Sequence, residues 1–279
     1  MTASGSKVAL VTNATTRAGT VVASGLARRG FTVIVGPRQS PSARELDGQW
    51  AEAGALAREI VKSGGTAVPC RFDLSTDDGA RNAVESATKT FGALDLLVAC
   101  SAFEGERALS KIEAESWRRG HDAYLTSTFL SCQAAARWMI DAGHPGHITC
   151  LTGVEGLRAR EFGAIHQASV AGAVCGLVRS LALELRHKKV SVNAVALGAA
   201  HRAGERPTDG GDPESDRELS TLVPLLGFLT EKPEITGLVI CLDGRRLSLL
   251  RTVETVGALP PEEGWTSEAI TQRWAELSR

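Results

Sequence analysis

A single tyrosine, Tyr124, and only two methionines occur in 279 residues, and aromatic residues make up 5% of the chain. Phenol chemistry therefore has one place to happen. An excess of charge is missing as well: 31 basic and 32 acidic side chains leave a formal net charge of -1, no electrostatic footprint for nucleic acid or an anionic membrane. No run approaches the roughly 18 apolar residues of a membrane span, and the polar start "MTASGSK" leads straight into an apolar strand pattern. The six cysteines (Cys70, Cys100, Cys132, Cys150, Cys175, Cys241) have neither the close spacing of a zinc site nor the density of a disulfide scaffold. These absences exclude a metal site and predict a soluble cytoplasmic protein with reduced thiols.

What is present builds a core. Hydrophobic residues make up 43% of the chain, enough for one α/β domain over residues 1–279. Short β-branched runs read as buried strands: "KVALVT" (7–12), "FTVIV" (31–35), "TAVPCRF" (66–72), "LDLLVAC" (94–100), "GHITCL" (146–151), "VSVNAVA" (190–196) and "LVICL" (238–242). Helical patterns lie between them at 17–29, 43–63, 77–91, 114–141 and 162–186. The alternation predicts a doubly wound parallel sheet of about seven strands, with its ligand crevice at the carboxyl ends of the strands. Residues 199–220 are rich in Gly, Pro and charge and predict a mobile substrate loop; 251–279 predict a C-terminal extension with a terminal helix, in which Trp265 staples onto Ile270.

Six features fall in a fixed order: Thr12 after the first strand, "FDLS" with Asp73 after the third, Trp117 on the fourth helix, "GLVRSLALEL" closing the fifth, "VNAVALG" after the sixth strand, and "ITGLVICLDG" around the seventh. In order and spacing they resemble the short-chain dehydrogenase/reductase family over nearly the whole chain. The resemblance implies a Rossmann-type sheet, a small-molecule substrate, and a homodimer or homotetramer joined through the fourth and fifth helices.

It also implies a dinucleotide site at Thr12, Arg17, Gly19, Arg38 and Asp73. The family's glycine-rich turn is "TNATTRAGT" here, with Asn13 and Arg17 in place of two glycines and only Gly19 kept. Arg17 either fills the place of the pyrophosphate or binds phosphate itself. The second strand ends "GPR" without a carboxylate, so Arg38 favours NADP(H) over NAD if any dinucleotide binds. With the glycines gone, and "ACSA" (99–102) where the family has NNAG, the leading expectation is no cofactor.

The family's reductases use a Ser, a Tyr, a Lys four residues later and an Asn. Aligning "ASVAG" with their ASKAG puts His166 at the Tyr and Val170 at the Lys; aligning on "GLVRSLALEL" gives Gln167 and Ala171. Neither register contains Tyr-x-x-x-Lys. Gly153 takes the Ser position beside Thr152, and Tyr124 takes the Asn position. His166, Tyr124, His121 and Thr152 are thus the candidate catalytic residues. His166 titrates near neutrality, and His121 lies one turn before Tyr124 on one helix face. Tyr124 is either a donor to a developing oxyanion or a plug in the space of an absent nicotinamide.

Three functions compete. The first is a non-redox acid/base enzyme (dehydration, isomerisation or cyclisation of a small metabolite, in bacterial specialised metabolism). The second is an NADP(H)-dependent oxidoreductase with non-standard proton donors. The third is a non-catalytic subunit that packs through the small residues Ala168, Ala171, Gly172 and Cys175.

Overall fold

The computed structural model describes residues 5–37, 43–100, 108–158, 164–198, 213–244 and 246–250. Eight strands form one sheet: β1 (Val8–Val11), β2 (Thr32–Val35), β3 (Thr66–Pro69), β4 (Leu96–Cys100), β5 (Gly146–Gly153), β6 (Val190–Leu197), β7 (Val239–Asp243) and β8 (Arg246–Leu250). Their order is β3-β2-β1-β4-β5-β6-β7-β8. The first seven are parallel, in registers such as Leu10↔Ile34, Leu10↔Leu97 and Thr152↔Ala196. The order reverses between β1 and β4, and a sheet of this kind opens a crevice at that point, outside the strand ends.

Strand alternation sorts the core into two layers. Leu10, Leu97, Ile148 and Cys150 face one side with Val170, Val174 and Val178. Ala9, Val11, Val98, Cys100 and Leu151 face the other with Leu26, Leu222 and Leu226. Cys100, the last residue of β4, and Cys150, within β5, point to opposite sides.

The helices are α1 (Arg17–Arg28), α2 (Ala43–Lys62), α3 (Asp77–Phe91), α4 (Ala114–His121), α5 (Ser127–Asp141), α6 (Ile165–Leu185) and α7 (Pro213–Glu231). Their starts follow side-chain chemistry. Thr16 accepts the Gly19 N–H at 3.2 Å and Thr76 accepts the Gly79 N–H at 3.0 Å, each satisfying an orphan donor of a first turn. α3 stops at Gly92, whose φ of 82° is the left-handed conformation that ends a helix. α6 is the one described helix long and apolar enough to cross a membrane, against the expectation that no run approaches that length. Val170, Val174, Val178, Ala182 and Leu185 pack it onto the sheet instead.

Three expectations need correction. The sheet has eight strands, because β7 is followed by a further short strand in which Arg246 and Ser248 alternate with leucines. The helix expected over 114–141 is interrupted by a π-helical turn, Asp122–Thr126, that inserts an extra residue between α4 and α5. Residues 213–220, expected within a loop, form the first turns of α7; Ser215, Glu218 and Leu219 are buried at helical spacing against the sheet ends. The remainder of that loop, 199–212, and the tail 251–279 lie outside the described residues. The chain separates into two compact units, Met1–Leu249 and Leu250–Arg279.

Candidate active site

Three rings converge where α4 meets α6. Trp117 and His121 are one turn apart on α4, with ring centroids 4.4 Å apart. His166, in the first turn of α6, lies 4.7 Å from Trp117 with planes at 20°, and 5.0 Å from His121 with planes at 19°. Gly120 makes the approach possible: a Cβ there would stand 2.2 Å from His166 Cε1. His166 is 9% exposed. Burial, and then the neighbouring His121, push its pKa below the ordinary 6.5, while a hydrogen bond to the Trp117 backbone carbonyl works the other way. The imidazole is therefore neutral at pH 7 and able to accept a proton.

His121 Nδ1 lies 3.0 Å from the Trp117 carbonyl, and its Nε2 lies 3.4 Å from Ser169 Oγ. Ser169 also donates to the His166 carbonyl at 2.7 Å. The fold thus brings His166 and His121 together as the sequence predicts. Trp117, Gly120 and Ser169 complete the cluster, and sequence reasoning did not pick them as site residues. The i, i+4 spacing of Trp117 and His121 is the signal that marks a shared face.

Tyr124 departs from the expectation that it shares a helix face with His121. The π-helical turn rotates it into the apolar layer with Val154, Val170 and Cys150, at 8% exposure. Val170 and Ala171, the residues that the two alignments put in the family's lysine place, are 2% and 1% exposed. Thr152 is fully buried on β5, and its Oγ1 has no hydrogen-bond partner among the described residues. A buried hydroxyl left in that state costs about 1–3 kcal/mol and marks a donor available to a ligand or water. Burial raises the Cys100 thiol well above its usual range, and the neighbouring Cys132 Sγ at 3.6 Å, followed by burial, raises that of Cys150, which argues against either thiol as a nucleophile.

The turn after β1 keeps a left-handed residue and a capped helix start with one of its glycines. Thr12 Oγ1 accepts the Cys100 N–H at 3.0 Å, tying β1 to β4. Asn13 adopts φ 47°, the left-handed region where Asn is tolerated, and donates its side-chain amide to the Cys100 carbonyl at 2.5 Å. Gly19 must be glycine, since a Cβ would stand 2.3 Å from the Asn13 carbonyl. Arg17 opens α1, a cation at the positive end of a helix dipole, and forms an ion pair with Asp216 of α7. That pairing answers neither of the two roles open to Arg17 in the sequence. Asp73 Oδ1 accepts from Ser75 N at 2.9 Å and Ser75 Oγ at 2.6 Å, which fixes the turn before α3. Arg38 lies outside the described residues.

The residues present accordingly split into two ends. The capped α1 start and the Thr12–Gly19 turn fit the diphosphate of a dinucleotide. At the end carrying His166, Gly153 and Val170, the one phenol among the described residues is that of Tyr124, buried in the apolar layer.

Comparison with known proteins agrees with the architecture. Residues 7–207 match the family model described as short chain dehydrogenase. A 3-oxoacyl-acyl-carrier-protein reductase of Synechocystis sp. is 31% identical over 198 residues, covering 71% of this chain and 76% of the relative. Glucose 1-dehydrogenase 2 of Bacillus subtilis is 28% identical over 230 residues, covering 82% of this chain and 83% of the relative. Among solved structures, a short chain dehydrogenase from Mycobacterium avium superimposes with a TM-score of 0.85 at 23% identity, over 98% of this chain and 94% of that one. A Burkholderia cenocepacia short chain dehydrogenase in complex with NADP gives a TM-score of 0.70 at 22% identity, over 85% of this chain and 96% of that one. At these identities the two structures speak for the fold alone.

Proposed function

The chain belongs to the short-chain dehydrogenase family, a family of oxidoreductases, and from that premise we propose that this member moves protons without moving hydride. The observation that carries the reading is the stacked His166–His121 pair on Trp117, with buried Val170 or Ala171 in the family's lysine place.

Neutral His166 takes a proton from a carbon or hydroxyl of a small metabolite in the crevice. The imidazolium that forms lies against the Trp117 face and near its carbonyl, both of which favour a cation. His121 at 5.0 Å opposes it, so the proton is held only briefly and is returned to substrate at a second atom. Such a cycle serves isomerisation, dehydration or ring closure, and no nicotinamide takes part. The six free cysteines suit a cytoplasmic setting. Self-association through α5 and α6 belongs to the same proposal, since less than half of the apolar stretch of α6 is buried in its own chain.

The test is incubation of the protein with a cell-extract metabolite pool in deuterated water, read by mass spectrometry. We expect deuterium incorporation or loss of water in a small set of metabolites, abolished in His166→Asn and unchanged by NADP(H). Metabolite changes that are identical in His166→Asn, or none at all, overturn the reading.

A second reading is favoured by the retained turn and by the oxidoreductase names of the relatives: an NADP(H)-dependent reductase with His166 as proton donor. Saturable quenching of tryptophan fluorescence by NADPH, followed by oxidation of NADPH with a 3-oxoacyl thioester or reduction of NADP+ with a sugar, would replace the first reading with this one.

A further inference from the structure

Ser169 has one hydroxyl hydrogen and two neighbours that compete for it. The His166 backbone carbonyl lies 2.7 Å from Oγ, and His121 Nε2 lies 3.4 Å away. The other ring nitrogen of His121 faces the Trp117 carbonyl at 3.0 Å. A carbonyl only accepts, so that contact requires a proton on Nδ1. The whole variability of His121 is thereby confined to Nε2. When Nε2 is bare, it can only accept, and Ser169 must turn its hydrogen away from the His166 carbonyl to reach it. When Nε2 carries a proton, it donates to the Ser169 oxygen, and the serine hydrogen stays on the carbonyl.

We propose that Ser169 is a positioning residue, a two-position hydroxyl that ties the proton on His121 Nε2 to the backbone of His166 at the start of α6. The inference rests on the reading of His166 as the proton acceptor with His121 stacked beside it. It adds an assignment: Nε2 is the His121 atom that gains and loses the proton, and Ser169 passes that state to the turn that carries His166. The two states differ by one proton, taken up by Nε2 from solvent and returned there; at Ser169 itself no covalent bond changes, and one hydrogen bond is exchanged for another. His166 faces His121 from α6; Arg118 and Arg119 on α4 and Asp122 after it are exposed, with Arg118 3.8 Å from Glu115 and Asp122 Oδ1 accepting from Thr126 Oγ1 at 3.4 Å.

The experiment is long-range proton–nitrogen correlation spectroscopy of the full chain, labelled with nitrogen-15 histidine, from pH 4.5 to 8.5. His121 and His166 signals are assigned from His121→Asn and His166→Asn. Neutral His121 is expected as the Nδ1–H tautomer, the minority form of free histidine. Ser169→Ala is expected to lower the His121 midpoint by about half a pH unit, because the charged ring loses a stronger hydrogen bond than the neutral one. Ser169→Thr, which keeps the hydroxyl, is expected to restore it. A neutral His121 in the Nε2–H form overturns the proposal on the wild-type protein alone, and so does an unchanged midpoint in Ser169→Ala. Because the readout needs no substrate, a failed deuterium-exchange assay leaves it intact and counts only against the catalytic reading.

Discussion

His166 is held between the Trp117 and His121 rings and closed in by the backbone of Gly120. Its depressed pKa links to stability with a definite sign. Between the lowered folded value and 6.5, the unfolded chain binds a proton that the folded chain refuses, so stability rises with pH through that window and levels off above 6.5. The Trp117 ring reports the same event, since a protonated imidazole stacked on indole quenches its emission. A pH titration of fluorescence should show a transition with its midpoint below 6.5, absent in His166→Asn. Gly120→Ala must displace the His166 ring, whose Cε1 would be 2.2 Å from the new Cβ. It should cost about 1–3 kcal/mol in urea unfolding and abolish the same fluorescence transition. The sequence singled out both histidines, and the resemblance put His166 at a site. The donors and acceptors on their nitrogens belong to Trp117 and Ser169, and no spacing rule lists a backbone carbonyl.

At the scale of elements, the turn from β1 into α1 shows which features a motif can lose. Two of its glycines are gone, yet Asn13 reaches the left-handed conformation and Thr16 caps the helix, so the backbone path survives. Asn13→Ala should lose the bond to the Cys100 carbonyl and pay about 1–2 kcal/mol for an alanine at positive φ. Asn13→Gly should lose the bond alone, and the difference between the two in denaturant midpoint checks the account. The expected helix over 114–141 failed for a different reason. Its apolar period continues across Asp122–Thr126, and the extra residue of the π-helical turn appears only when Tyr124 is seen buried beside Val170. α7 was hidden by composition: Pro213 and the acidic residues after it read as a loop, while they start a helix whose Asp216 meets Arg17 and whose Gly227 faces Arg29 just after α1.

For the whole molecule, the parallel order of seven strands was legible because buried strands in a doubly wound sheet are continuous apolar runs separated by helical patterns. The eighth strand was not, since exposed Leu247 and Leu249 alternate with polar residues as an edge strand does. Exposed Phe129 on α5 and Leu183 on α6, at 40% and 69%, belong to the flank proposed for self-association. Light scattering of the wild type should give the mass of a dimer or tetramer, and Leu183→Glu should shift it to the monomer; an unchanged mass removes α6 from the interface.

By itself the sequence determined the class of sheet and the family resemblance, because buried strands, helical periods and the order of the motifs are written in residue type and local period. Only the tertiary structure decided that His166 meets His121, that Tyr124 turns into the core and that Arg17 is engaged by Asp216. Those pairs join residues 45 to 199 positions apart or depend on one residue inserted in a helix, and no local pattern carries such a distance or such a rotation.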